Sequence, residues 1–235
     1  DTRNLSGLDG YKVLYLPYMT MVQPDSAEKL EEFVKKGGIL LVDEGFGLRQ
    51  QNSWLHISSP DSSLQSLVPA CWIERTRCDG TEKIMLSNGE VSVMPMRTLY
   101  ESPEGSVLAR YSKNGQPAIR EFICGKGRVV LFGSSIGYSY AKRGERAWVD
   151  WLENYLADAG IGRNPCDDME RGIYSRELVS GNEKVILIFN RSKNEQVVDF
   201  LLQPGARELT GKVTLDITKR KVILPAGQVA CLIEP

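Results

Sequence analysis

The sequence is poor in the residues that most often carry chemistry. It has one histidine, His56, and five cysteines: Cys71, Cys78, Cys124, Cys166 and Cys231. The cysteine count is odd and no C-x-x-C pair occurs. Both facts argue against a disulfide framework or a zinc ribbon, and the thiols read as reduced and mostly buried. A lone histidine with scattered thiols supplies no metal-ligand spacing, so neither a metal nor any other cofactor is expected. No apolar run approaches the roughly 18 residues of a membrane-spanning helix, so no membrane span is expected. Net charge is almost absent, with 29 basic and 30 acidic side chains leaving −1. That balance argues against a globally basic nucleic-acid binder. No internal repeat or low-complexity tract is visible. The chain has no Met at position 1, and its polar Asp1–Asn4 stretch reads as a cut within a longer protein.

What is present is an ordinary globular balance. Hydrophobic residues make up 42% and charged residues 25% of 235 positions, enough to bury a core. The length suits one large domain or two small ones. It leaves no room for a (β/α)₈ barrel, which typically takes about 250 residues. Tyr11–Pro17 is a short apolar run that reads as a buried strand. A helical pattern follows, with Ala27, Leu30, Phe33 and Val34 on one face. Asp25 with Glu28 suggests an N-cap and its reciprocal partner, and Lys35-Lys36-Gly37-Gly38 a cationic last turn and glycine stop. Ile39–Val42 is a second apolar strand, so the three elements form a βαβ unit with parallel strands. Phe46–Pro60 is polar and reads as a long surface loop. Between Trp72 and Val130, the turn signals Asn88-Gly89, Pro103-Glu104-Gly105 and Asn114-Gly115 predict antiparallel hairpins. Gly127–Gly133 returns to a buried strand, and Ala147, Trp148, Trp151, Leu152, Tyr155 and Leu156 recur at helical spacing before Gly160. Beyond this point the pattern is of strands alone: Ile173–Leu178, Lys184–Phe189, Gln196–Leu202, Lys221–Leu224 and Gln228–Ile233. The expected organisation is an α/β domain over 1–162, a linker over 163–170 and a small antiparallel β-sandwich over 171–235.

A search for chemistry finds little. The sharp turn after Ile39–Val42 is where a nucleophile elbow would sit. It reads Asp43-Glu44-Gly45-Phe46-Gly47, with suitable glycines but no Ser or Cys. Asp43 and Glu44 end a strand, where α/β sheets often bind ligands. Adjacent residues on extended backbone point to opposite faces, so one of the two is expected to cap or pair locally rather than share acid/base work. His56 lies in the polar loop without a partner and reads as solvent-facing. Ser134-Ser135 offers a second possible elbow, but capping of the next helix or turn accounts for it. Gly45-x-Gly47 lacks the third glycine of a dinucleotide fingerprint, and Gly125-Lys126-Gly127 precedes a strand and reads as a hairpin turn. Asp167, Asp168 and Glu170 read as solvated linker residues. Trp54, in the polar loop, either stacks on a sugar or a protein partner or folds back onto its own loop. Trp148 and Trp151 read as core. Tyr138 and Tyr140 are undecided.

The order and spacing of several segments resemble the middle, trimerisation domain of glycoside hydrolase family 42 beta-galactosidases. They are Gly10–Pro17, Leu30–Val42, Gly125–Gly133 and the helix end Asp158-Ala159-Gly160-Ile161. Phe189-Asn190-Arg191-Ser192 and Leu224–Ala230 are similar to that family's C-terminal β-sandwich. The resemblance implies a class I glutamine amidotransferase-like, flavodoxin-like fold with appended hairpins, whose cysteine nucleophile is missing here. No His-x-Glu pair follows Gly133 either. It places the galactoside-cleaving carboxylates on an N-terminal barrel absent from this sequence, so no catalytic residue carries over. It implies partners instead: further copies of the chain in a homotrimer, the catalytic barrel of the parent enzyme, and a possible galactoside contact. The compartment stays open between bacterial cytoplasm and periplasm. The loop Gly47–Ser59, with Trp54 and His56, is the expected cleft-facing segment, on its length and polarity. Two other readings remain: a stand-alone carbohydrate-binding module, and an amidotransferase-like enzyme with a repurposed site around Glu44.

Overall fold

The computed structural model describes residues 5, 7–50, 52, 54–55, 60–162, 168, 171–180, 183–199, 205–211, 213–216, 218 and 221–234. His56, Cys166, Asp167, Glu170 and most of the expected linker lie outside them. Two compact units divide the chain, Asp1–Ile161 and Gly162–Pro235.

The first unit opens with strand β1 (Val13–Leu16), helix α1 (Pro24–Lys35) and strand β2 (Ile39–Val42). The two strands pair in parallel, from Val13 opposite Ile39 to Leu16 opposite Val42. The helix begins one residue before the expected cap. Gln23 is the N-cap, without a side-chain bond, and Pro24 holds the first helical position. Proline suits that position because its missing N–H would be unpaired there and its φ is already helical. The helix stops as expected. Gly37, at φ 117°, donates to the Val34 carbonyl, and Gly38 donates to that of Phe33. This pair of bonds is the glycine-terminated Schellman arrangement.

Seven further strands follow: β3 (Cys71–Arg77), β4 (Lys83–Leu86), β5 (Gly89–Ser92), β6 (Met96–Glu101), β7 (Ser106–Tyr111), β8 (Pro117–Cys124) and β9 (Gly127–Phe132). Helices α2 (Ile136–Arg143) and α3 (Arg146–Asp158) complete the unit. A seven-stranded sheet runs β1-β2-β9-β8-β7-β4-β5, and β3 pairs with β6 in a separate ribbon. The β1-β2-β9 part is parallel, and the pairings from β9 through β5 are antiparallel. The fold is therefore mixed α/β, with hairpins closing at Asn88-Gly89 and Asn114-Gly115.

Strand β2 reads as an unbroken apolar run because both its faces are covered. Leu40 and Val42 pack with Leu30, Phe33 and Val34 of α1. Ile39 and Leu41 pack on the opposite side with Val130, Phe132, Trp148 and Trp151. Phe132 meets the two tryptophans edge-on, at centroid distances of 6.0 and 6.1 Å, a preferred aromatic geometry. The helical spacing of Trp148 and Trp151 thus marks the core face of α3.

Among the described residues the second unit is all β: β10 (Ile173–Ser180), β11 (Glu183–Asn190), β12 (Gln196–Asp199), β13 (Arg207–Glu208), β14 (Thr214–Asp216), β15 (Lys221–Leu224) and β16 (Val229–Glu234). These form sheets ordered β10-β11-β16-β13 and β12-β15-β14, both antiparallel. Alternate residues from the two sheets share one core, among them Ile186, Ile188, Val222, Leu224 and Leu232. Asn190 holds a bend by donating from Nδ2 to the carbonyls of Asn194 and Leu224.

The closest backbone approach in the first unit is at Gly127. A Cβ there would lie 2.2 Å from the Val34 carbonyl oxygen and 2.3 Å from that of Gly38. Gly127→Ala must separate β9 from the end of α1, an overpacking cost of roughly 1–3 kcal/mol. Gly10→Ala, which meets nothing within 4 Å, serves as the neutral control. Urea denaturation of both variants checks the contrast.

Candidate functional site

The turn after β2 sits at the carboxyl end of the parallel strands, the usual ligand-binding edge of an α/β sheet. Gly45 and Gly47 take φ of 83° and 63°, the left-handed values that glycine adopts without strain. Phe46 donates to the Asp43 carbonyl and Leu48 to that of Gly45. Phe46 and Leu48 are buried, at 1% and 3% exposure. This corrects the expectation of a surface loop from Phe46 onward: the first three residues belong to the core, because Phe46 joins the α1-side cluster.

Asp43 and Glu44 are both buried, with 1% and 0% exposure. Each has its own partner. The Tyr15 hydroxyl donates to Asp43 Oδ2 at 2.8 Å and accepts from the Gly137 N–H at 3.3 Å, linking β1, β2 and α2. Burial pushes the Asp43 carboxyl up to about 7 from an ordinary 3.8. Its hydrogen bonds from Tyr15, Ile136 and Tyr18 oppose that rise, and the Glu44 charge adds to it. The same burial, with the Asp43 charge beside it, lifts the Tyr15 hydroxyl well above a normal phenol.

Glu44 takes a fork from Arg75 of β3. Nη2 and Nε donate to Glu44 Oε2 at 2.7 and 3.1 Å. The Thr98 hydroxyl lies 3.5 Å from Oε2, and the Ser135 hydroxyl donates to Oε1 at 3.3 Å. Arg75 also reaches the Tyr18 hydroxyl at 3.3 Å, and its guanidinium lies 6.0 Å from the Tyr18 ring centroid. Tyr18 holds φ 46°, an uncommon left-handed value for a bulky side chain. Buried Tyr100 accepts from the Gly45 N–H at 3.1 Å, and burial raises its hydroxyl well above the usual range. Charge, hydroxyls and backbone at this turn are thus bound to one another.

The other candidates fall elsewhere. Ser135 is the N-cap residue of α2 but makes no side-chain cap bond, because its hydroxyl is turned to Glu44. Ser134 instead bonds the backbone of Met94, accepting from its N–H and donating to its carbonyl. Helix capping by these hydroxyls is therefore corrected. Trp54 is 74% exposed, and its backbone N–H donates to Asn52 Oδ1. Gly125–Gly127 forms the β8–β9 turn. Among the described residues no group of three His, Cys, Asp or Glu could hold a metal, and no helix is long and apolar enough to cross a membrane. Sequence reasoning missed Arg75, Thr98, Tyr15 and Tyr100. No local pattern marked them: Thr98, Leu99 and Tyr100 are buried in succession, without alternation along the strand.

Residues 3–161 match the family model described as the beta-galactosidase trimerisation domain. That is more than half of the sequence, and the chain belongs to this family. Among curated relatives, beta-galactosidase BglY of Alicyclobacillus acidocaldarius is 25% identical, over 97% of this chain and 33% of its own length. Beta-galactosidase Pbg of Clostridium perfringens is also 25% identical, over 92% of this chain and 32% of its own length. The chain therefore spans about a third of these relatives. The crystal structure of a beta-galactosidase from Bacillus circulans sp. alkalophilus superposes with a TM-score of 0.80 at 23% identity, over 98% of this chain and 34% of that one. At that identity the likeness speaks for the fold.

Two predictions follow from the buried carboxylates. Glu44→Ala leaves the Arg75 guanidinium without its partner, and breaking a buried pair this way costs about 3–5 kcal/mol. Urea denaturation of the variant measures it. Asp43 carries its proton more tightly folded than unfolded. Its contribution to stability is greatest below 3.8, falls as pH rises and levels off above about 7, the sign that linkage gives a raised carboxylate. Asp43→Asn removes that slope, so the stability difference between variant and parent shifts in the variant's favour across this window.

Proposed function

We propose that the chain is the non-catalytic assembly region of a beta-galactosidase-like glycoside hydrolase, whose catalytic barrel lies outside this sequence. The observation that carries the reading is the closed turn at Asp43–Gly47. Glu44 is taken up by Arg75 and one oxygen of Asp43 by Tyr15, both carboxylates are buried, and the turn presents neither Ser nor Cys. The description of the matched family and the printed names of the relatives supply the rest: a trimerisation domain within beta-galactosidases. The partners in this reading are two further copies and the parent's catalytic barrel. Of the expected cleft-facing loop Gly47–Ser59, whose first two residues are buried, the part around Trp54 faces a galactoside cleft in this reading, a role that the exposure of Trp54 favours.

The finer fold reading is a class I glutamine amidotransferase-like core that has lost its nucleophile. The parallel β1-β2-β9 core and the tight turn after β2 support it. A repurposed enzyme at Glu44 is disfavoured by the fork from Arg75, which occupies the carboxylate. The domain division in this reading places the assembly unit at 1–162 and the β-sandwich at 171–235.

The purified chain is expected to sediment as a trimer and to leave a nitrophenyl galactoside unhydrolysed. Turnover by the chain alone overturns the non-catalytic reading, and a strict monomer at high concentration overturns the assembly reading.

A further inference from the structure

A second concave region lies away from the closed turn. It is an open cleft of about 780 Å³ between the end of β3, the β4 entry, the Met94–Arg97 segment and α2. That volume falls within the roughly 300–1,000 Å³ of small-molecule sites. Neither the turn after β2 nor the Trp54 loop contributes to its lining.

Its chemistry is mixed. Arg77, Asp79, Glu82, Arg97 and Lys113 line it together with Tyr138. Arg97 forms the fixed part. It pairs with Glu82 at 3.2 Å and with Glu74, and lies 5.9 Å from the Tyr111 ring centroid. Its charge is therefore matched within the protein. Its buried Nε–H, however, has no partner among the described residues. Asp79 is held in a local turn by the N–H and hydroxyl of Thr81, and Arg143 pins its carbonyl at 3.1 Å. Arg97 and the Asp79 turn are thus set before any ligand arrives. Tyr138 supplies an aromatic ring, 44% exposed, with Lys142 Nζ 5.7 Å from its centroid.

Each class of ligand makes a different demand on such walls. An apolar ligand would strand the charged side chains without water or partner. A compact anion would face Asp79 and Glu82 as well as the bases. A neutral polyol suits both signs at once, since each hydroxyl donates to a carboxylate and accepts from a guanidinium. A pyranose adds a C–H face that an exposed tyrosine ring can cover. We propose that this cleft is a saccharide site, taking one or two neutral sugar rings with Tyr138 as the stacking platform and Arg77, Asp79 and Glu82 as hydroxyl partners. It is distinct from the Trp54 loop. The choice of galactose and lactose as first probes rests on the beta-galactosidase reading; the site itself does not.

The test is a titration of the isotope-labelled chain with galactose, lactose, glucose and inorganic phosphate, followed by amide chemical shifts. Saturable shifts at 76–82, 94–97 and 138 with a neutral sugar are expected, at millimolar concentration. Tyr138→Ala and Arg77→Ala each weaken this binding about tenfold or more, while Tyr138→Phe and Trp54→Ala leave it in place. Binding of glucose but not of galactosides keeps the saccharide site and counts against the galactoside reading alone. Four results overturn the proposal. They are no saturation up to sub-molar sugar, saturation by phosphate only, shifts confined to the Trp54 loop, and cleft shifts that follow protein concentration instead of sugar. The last would make the cleft a contact between copies.

Discussion

A carboxylate with no access to water must be paired, and Glu44 is paired by an arginine 31 residues away in sequence. Burying an ion costs several kcal/mol unless geometry and further hydrogen bonds offset it. Here the offset draws on Arg75 from β3, Thr98 from β6 and Ser135 from the start of α2. The two-stranded ribbon β3–β6 has little stability of its own, as isolated ribbons do not. The pair fixes it to the end of β2. Asp43 does the same for the opposite side, through Tyr15 to Gly137. The strand-end turn is a junction among elements that the sheet's hydrogen bonds do not join.

This explains what was readable in the sequence and what was not. The β1-α1-β2 unit was legible because its signals are local: an apolar run, a helical stripe, a glycine stop and another apolar run. The hairpins at Asn88-Gly89 and Asn114-Gly115 were legible for the same reason. The partners of Glu44 were not. Nothing in the local pattern around Arg75 distinguishes it from Arg77, its neighbour two places on, which lines the open cleft. Ser135 occupies a capping position, yet its hydroxyl turns to a carboxylate 91 residues away. The adjacent carboxylates did diverge as extended backbone requires. The unforeseen part is that both found buried partners. Phe46 and Leu48 were hidden in the polar composition of the loop that follows them.

The contrast between the two concave regions of the first unit bears on function. At the strand end, where related topologies bind ligands, most side chains and backbone groups bond to one another, with Asp43 Oδ1 alone left without a partner among the described residues. Glu44, Asp43, Tyr15 and Tyr100 all bond within the protein. Such a site is a structural clamp, and a sheet edge locked in this way is suited to holding a fixed outline against other protein surfaces.

The second concave region is different in kind. Its charged groups are set around open space and include an arginine whose remaining donor lacks a partner. Burial explains the ion pair at Glu44, because the alternative is an uncompensated charge. Burial likewise explains the Arg97–Glu82 pair, but not the exposed Arg77 and Asp79 of the cleft wall, which water can solvate. A ligand that engages Arg77 and Asp79 together must replace that water with both donors and acceptors. A hydroxyl-bearing ligand fits that requirement with the fewest further assumptions, since it satisfies donor and acceptor walls together without adding a charge of its own. The clamp and the cleft thus divide one domain's work, with shape held at the strand end and recognition left to the open face.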